Sequence, residues 1–234
     1  IITNVAGSAP QSGAALARYM CGLIKQQKLD PQASFDALSR LTLKLLEEAP
    51  QQAAEIAGIV SHEIADDMPE LVAKIAVLAA QAAPDQRVEV ATAVTQEVPE
   101  ASVEVATGVA ETIAASPDEE LHIFLASEED EDYLGEGTEL AIALGQEAPE
   151  QAFDIATAVA EVLPEDAAQV AESIAQTDPQ HASDLVGSIS EVAPEMADDV
   201  MYAVASSLPE QAEELLQEVL LEAENNFEST RQPS

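Results

Sequence analysis

PEQAFDIATAVAEVL (149–163), PEDAAQVAESIAQTD (164–178), PQHASDLVGSISEVA (179–193) and PEMADDVMYAVASSL (194–208) follow one another without a gap, each opening on proline. Aligned on that proline, they share Ala at the fourth place and an aliphatic residue or Met at the seventh, eighth and eleventh. These places stand at i, i+3, i+4 and i+7, so Ala152, Ile155, Ala156 and Val159 share one helical face and each repeat is an amphipathic helix. Proline suits the first helical position, where an N–H would go unpaired, and Glu150, Glu165, Glu195 and Glu210 behind it favour the positive helix end. The residue before each proline is pushed out of helical geometry, which ends the preceding helix. That residue is often apolar (Val98, Leu163, Ala193, Leu208), which predicts a buried corner in place of a solvated loop.

The same spacing reaches outward. Pro69, Pro84 and Pro99 are 15 residues apart, as are Pro149, Pro164, Pro179, Pro194 and Pro209. Pro31 to Pro50 and Pro50 to Pro69 are 19 residues each, and Pro99 to Pro117 is 18. An addition of three or four residues is one helical turn, which lengthens a helix and keeps its apolar stripe in place. A helix of about 11 to 12 residues, roughly 17 Å long, is not stable alone, so stacking supplies the stability. The sequence therefore predicts an all-α fold, a tandem-repeat α-solenoid of about thirteen short helices with a 15-residue Pro-initiated repeat. The expected helices are 11–28, 32–48, 51–66, 70–82, 85–97, 100–115, 118–126, 138–147, 150–162, 165–177, 180–192, 195–207 and 210–225.

Residues 1–49, richer in Leu and aromatic residues, form the expected N-terminal cap, and 50–126 a first repeat block. The interval from Pro117 to Pro149 carries SEEDEDYLGEG (127–137), an acidic loop that breaks the pattern. A second block with a C-terminal cap follows over 138–225, then a tail over 226–234, all in one continuous array. Over 50–225 the pattern resembles the Ala-rich APEQAAAIVAAAV-type repeats of bacterial exported proteins of unknown function. That resemblance implies an exported protein, periplasmic or extracellular, and carries no functional residues with it. Ile1 in place of an initiator Met fits a matured or trimmed product.

Composition limits the core and the chemistry. An apolar fraction of 47%, with three Tyr, four Phe and no Trp, describes thin layers of small side chains. No apolar run reaches the roughly 20 residues of a bilayer span. The lone Cys21, inside an apolar run, is expected to be a buried small hydrophobe.

The net charge is -37, unevenly spread. Arg18, Lys25, Lys28, Arg40, Lys44, Lys74 and Arg87 face ten acidic residues within the first 87 positions. From Val88 to Thr230 there is no Lys or Arg and there are 35 Asp or Glu. Carboxylates at helix C-termini, such as Glu97, Glu111, Glu147, Glu161 and Glu191, oppose the macrodipole, so helix stability does not account for them. No basic stripe exists to neutralise phosphates, which argues against nucleic-acid binding.

Two groups of residues are candidate sites. Glu128, Glu129, Asp130 and Asp132, with Gly135 and Gly137 to turn the chain sharply, are candidate ligands for a hard cation such as Ca²⁺, although Leu134 and Ala141 spoil the EF-hand spacing. Arg18, Lys25, Lys28, Arg40 and Lys44 are candidate contacts for a head-to-tail assembly of copies, basic end on acidic end. His62, His122 and His181 lie in separate repeats without a second ligand at metal spacing. No phosphate loop, nucleophile elbow or Ser/His/Asp grouping is present, so an enzyme and a resident cofactor are not expected. The sequence leads first to a structural or scaffold protein for protein–protein interaction or self-assembly. The alternatives are an acidic cation-binding or mineral-associated protein and an acidic module for a basic protein partner.

Overall fold

The computed structural model describes residues 12–27, 30–116, 134–210 and 212. They contain no strand. Eleven α-helices follow in order: α1 (Ser12–Gln26), α2 (Pro31–Glu48), α3 (Ala53–Ala65), α4 (Val72–Ala82), α5 (Arg87–Glu97), α6 (Ser102–Ala114), α7 (Glu136–Glu147), α8 (Ala152–Val162), α9 (Ala167–Thr177), α10 (Ala182–Val192) and α11 (Ala197–Ser207). The helix expected over 118–126 lies outside the described residues, as does nearly all of that over 210–225.

Eight helices, α3 to α6 and α8 to α11, are entered through a single 3-10 turn that opens on proline. The proline-initiated units are 14 to 16 residues long. At each boundary one residue serves two helices. The Ala83 N–H donates back to the Ala79 carbonyl (3.0 Å), while its own carbonyl accepts from the Gln86 N–H (3.0 Å). Its backbone, φ -135° and ψ 73°, is the non-helical geometry that a following proline enforces. Leu163 repeats the arrangement, donating to Val159 O (2.8 Å) and accepting from Asp166 N (3.1 Å). This hinge residue satisfies the orphan groups of two helix ends at once, so it can be buried without loss of hydrogen bonds. Ala49, Ala83, Val98, Ala148, Leu163 and Ala193 are buried at this place, whereas Asp178 is exposed.

The buried stripe is the expected one, widened by a place. Ile155, Ala156 and Val159 are fully buried, and so is Ala160 at the twelfth place, while Ala152 at the fourth is only partly covered. The larger core side chains are Leu, Ile and Val, each contributing about 1.5–3 kcal/mol on full burial. Phe35 and Phe153 only pack against the core's edge. Cys21 is fully buried, as expected of a small hydrophobe, and burial pushes its thiol up to about 11.

Each helix packs on its successor and on the helix after that, without exception from α1 to α11. Odd-numbered and even-numbered helices thus make two rows. Within a row the backbones approach closely: a Cβ on Gly58 of α3 would stand 3.1 Å from the Ala93 carbonyl oxygen of α5, and one on Gly108 of α6 would stand 2.5 Å from Val77 Cγ2 of α4. These contacts join the ninth place of one unit to the tenth of the next in the row. The tenth place is accordingly small in seven units: Ala93, Gly108, Ala143, Ala158, Ser173, Ser188 and Ala203.

The packing passes the acidic break without interruption. α5 lies on α7 and α6 on α8, although residues 117–133 come between them in the chain. Gln151 Nε2 donates to the Pro99 carbonyl across the break (3.0 Å), as Gln86 Nε2 does to the Pro50 carbonyl before it (2.9 Å). Gln96 Nε2 also reaches Glu147 Oε1 (2.9 Å). Residues 134–148 are a regular 15-residue unit with Leu134 standing where the others have proline.

Candidate functional site

Two features stand out among the described residues: a charged cleft where the break is closed, and a long carboxylate-bearing face.

The cleft, about 600 Å³, lies between the starts of α5 and α7 and is lined by Asp85, Arg87, Glu89, Ser116, Glu136 and Glu139 among others. Arg87 occupies the fourth place of its unit, where the other units carry a small residue or Val: Ala53, Val72, Ser102, Gly137, and Ala at 152, 167, 182 and 197. Its side chain is only 12% exposed. Nη1 donates to Glu136 Oε2 (3.2 Å), and Nη2 donates to the Ser116 hydroxyl, while Nε is buried without a partner. The Ser116 hydroxyl in turn donates to the Thr112 carbonyl (3.0 Å). One guanidinium therefore ties the last turn before the break to the first turn after it. Burial pushes the Glu136 carboxyl above its usual range, and the Arg87 charge pulls against that shift.

The start of α7 is also held from outside its own unit. Without a proline, the first turn of α7 leans on its neighbour: Gln169 of α9 accepts from the Gly135 N–H (3.2 Å) and from the Thr138 hydroxyl (3.5 Å). Asp166, just before α9, accepts from the Gly137 and Thr138 amides; burial pushes its carboxyl up and these bonds oppose the push. Gly135 and Gly137 were expected to sharpen an acidic loop. They instead make room for Asp166, whose carboxylate oxygens would lie 2.1 Å from a Cβ at Gly135 and 2.4 Å from one at Gly137. Gly137 is itself inside α7, which begins two residues earlier than expected because of this cap.

The remaining sequence candidates do not converge. Glu128, Glu129, Asp130, Asp132 and His122 lie outside the described residues, as does Lys28. Among the described residues no three His, Cys, Asp or Glu side chains are grouped to hold a metal ion. Arg18 Nε pairs with Glu63 of α3 (3.4 Å) and Lys25 with Asp67 in the turn after α3 (3.0 Å), and Lys44 pairs with Glu47 on its own helix. Arg40 is exposed and pairs with no described residue. His62 meets Glu97 (2.9 Å) and His181 meets Asp178 (2.8 Å), both at the surface.

The second feature is on the even row. A mostly apolar groove of about 530 Å³ is walled by Phe35 of α2, Val77 and Leu78 of α4, and Thr107 and Gly108 of α6. Lys74 Nζ lies 5.5 Å from the Phe35 ring centre, over its face. Beside the groove α6 exposes Glu104 and Glu111, and the matching places expose Asp154 and Glu161 on α8 and Asp184 and Glu191 on α10. None of these six carboxylates pairs with a described cation.

Arg87 was not among the candidate site residues. The signal was present in the repeat alignment, as the one large charged side chain at an otherwise small fourth place.

Among the described residues, these observations define an all-helical repeat protein with a buried arginine bridging a break in its array. No protein-family model, no curated protein and no solved structure matches the chain.

Proposed function

We propose that this chain is a non-catalytic α-solenoid scaffold whose repeated outer faces take other protein chains. The observation that carries this is the uninterrupted ladder of contacts between helices two apart, which sets equivalent exposed side chains at regular intervals along a row. A role for 127–139 in holding Ca²⁺ stays a secondary proposal, with Glu136 and Glu139 at the described edge of that segment. End-to-end assembly through Arg18, Lys25 and Lys44 draws less support, since each already has a carboxylate partner within the chain.

The test is photo-crosslinking in the native host, with a benzophenone side chain placed in turn at Thr107, Thr157 and Glu89. Crosslinked adducts to other proteins or to a second copy are expected from at least one face. Absence of adducts at all three positions would overturn the scaffold function.

A further inference from the structure

Resting on the scaffold function, we propose that the even-row face takes a lysine- or arginine-rich protein segment with one apolar side chain anchored in the groove between α2, α4 and α6. On this row Phe35, Val77 and Leu78 leave an apolar hollow, and Gly108 keeps its floor low. Carboxylates begin at once on its far side. The exposure pattern over Glu104–Glu111 recurs over Asp154–Glu161 and, with one change in degree, over Asp184–Glu191, so three pairs are presented in register.

The spacing selects the kind of cation. Members of a pair are seven residues apart, about 10.5 Å along the helix axis, and helices neighbouring in a row are about 8–10 Å apart. Carboxylates on so open a grid cannot jointly enclose one Ca²⁺, whose ligands sit about 2.3–2.6 Å from the ion. The grid suits separate ammonium or guanidinium groups. In an extended segment rising about 3.3 Å per residue, a cation at every third residue meets each helix of the row in turn. A second copy of this chain is a poor occupant, because its charge of -37 repels the face and Arg18, Lys25 and Lys44 are already engaged. The odd row differs in pattern: its sixth place also exposes Glu55, Glu89, Glu139 and Asp199, but its thirteenth carries His62, Gln96, Gln146, Gln176 and Ser206, so no such pairs form there, and Glu63, Glu97 and Glu147 already have partners in Arg18, His62 and Gln96.

The probe is a fluorescent peptide of repeated Lys-Ala-Ala with one central leucine, titrated with the full chain and read by anisotropy. Saturable binding is expected, weakening as NaCl rises from about 50 mM to about 300 mM. Neutralising the face (E104Q, E111Q, D154N, E161Q, D184N and E191Q together) weakens binding about tenfold or more. An equal number of odd-row changes (E55Q, E89Q, E97Q, E139Q, E147Q and D199N) leaves it within about threefold, with helicity checked by circular dichroism for both variants. Replacing the peptide's leucine by alanine weakens binding several-fold, and Lys74→Glu strengthens it. Equal loss in the two charge variants, or indifference to the leucine, would reduce the effect to general polyanion attraction and overturn the proposal. Acidic partners crosslinked at Thr107 would also overturn it while leaving the scaffold function in place; no crosslinks on any face would remove both.

Discussion

The guanidinium of Arg87 donates to the carboxylate of Glu136 at 3.2 Å, joining α5 to α7 across 49 residues of chain. The same guanidinium holds Ser116 at the end of α6, so both edges of the break are tied to one side chain. Lys or Arg is absent from Val88 to Thr230, and this cation stands immediately before that stretch.

Arg87→Ala should therefore destabilise the fold by about 1–3 kcal/mol, because Glu136 is left as a half-buried charge without its partner and the Ser116 tie is lost. Adding Glu136→Gln should restore part of the loss, a non-additivity that a double-mutant cycle in urea measures.

The glycines predict opposite signs for similar changes. Gly187→Ala meets nothing within 4 Å and should stabilise by about 0.5–1 kcal/mol through helix propensity. Gly58→Val drives a branched side chain toward the Ala93 backbone carbonyl, 3.1 Å from the Cβ position, and should cost about 1–3 kcal/mol. Thermal unfolding of the two variants against the parent chain checks both.

Mild acid should strengthen this protein. The carboxyls of Glu136 and Asp166 are both raised by burial, so the folded chain holds protons that the unfolded chain has released. In the window between the unfolded and folded values, stability falls as pH rises and is recovered as pH falls. Relief of repulsion within a net charge of -37 acts in the same direction. Tm should rise from pH 7 toward about pH 5, and Glu136→Gln with Asp166→Asn should flatten the rise.

The thiol of Cys21, fully buried and raised to about 11, should resist alkylation in the native state at mildly alkaline pH and react fully in denaturant. The native labelling rate then reports local opening of α1 against α3.

Much of this architecture was legible in the sequence. Proline marked the helix starts, and the apolar seventh, eighth and eleventh places marked the buried face, because both are properties of single residues in one helix. What escaped depends on pairs of helices. The small tenth place answers the close approach of helices two apart, which no single unit reveals. The helix of unit 134–148 was expected over 138–147, but its first turn was hidden because Leu134 replaces its proline and the groups that hold that turn, Asp166 and Gln169, lie 31 to 34 residues further on. The acidic run over 127–137 drew the eye to the loop, while the residues that close it, Arg87 and Ser116, were unremarkable where they stood.

The array continues across that break, with α5 on α7 and α6 on α8. With Cys21 replaced by Ala, Gln96→Cys in α5 and Glu147→Cys in α7 give a pair for a short bismaleimide, at positions whose native side chains lie 2.9 Å apart. A crosslink within one chain, in high yield at low protein concentration and found by mass spectrometry of the digest, is the predicted result. Failure of these two positions to crosslink in the folded chain, while a control pair at His62 and Glu97, whose native side chains also lie 2.9 Å apart, does so, would contradict it.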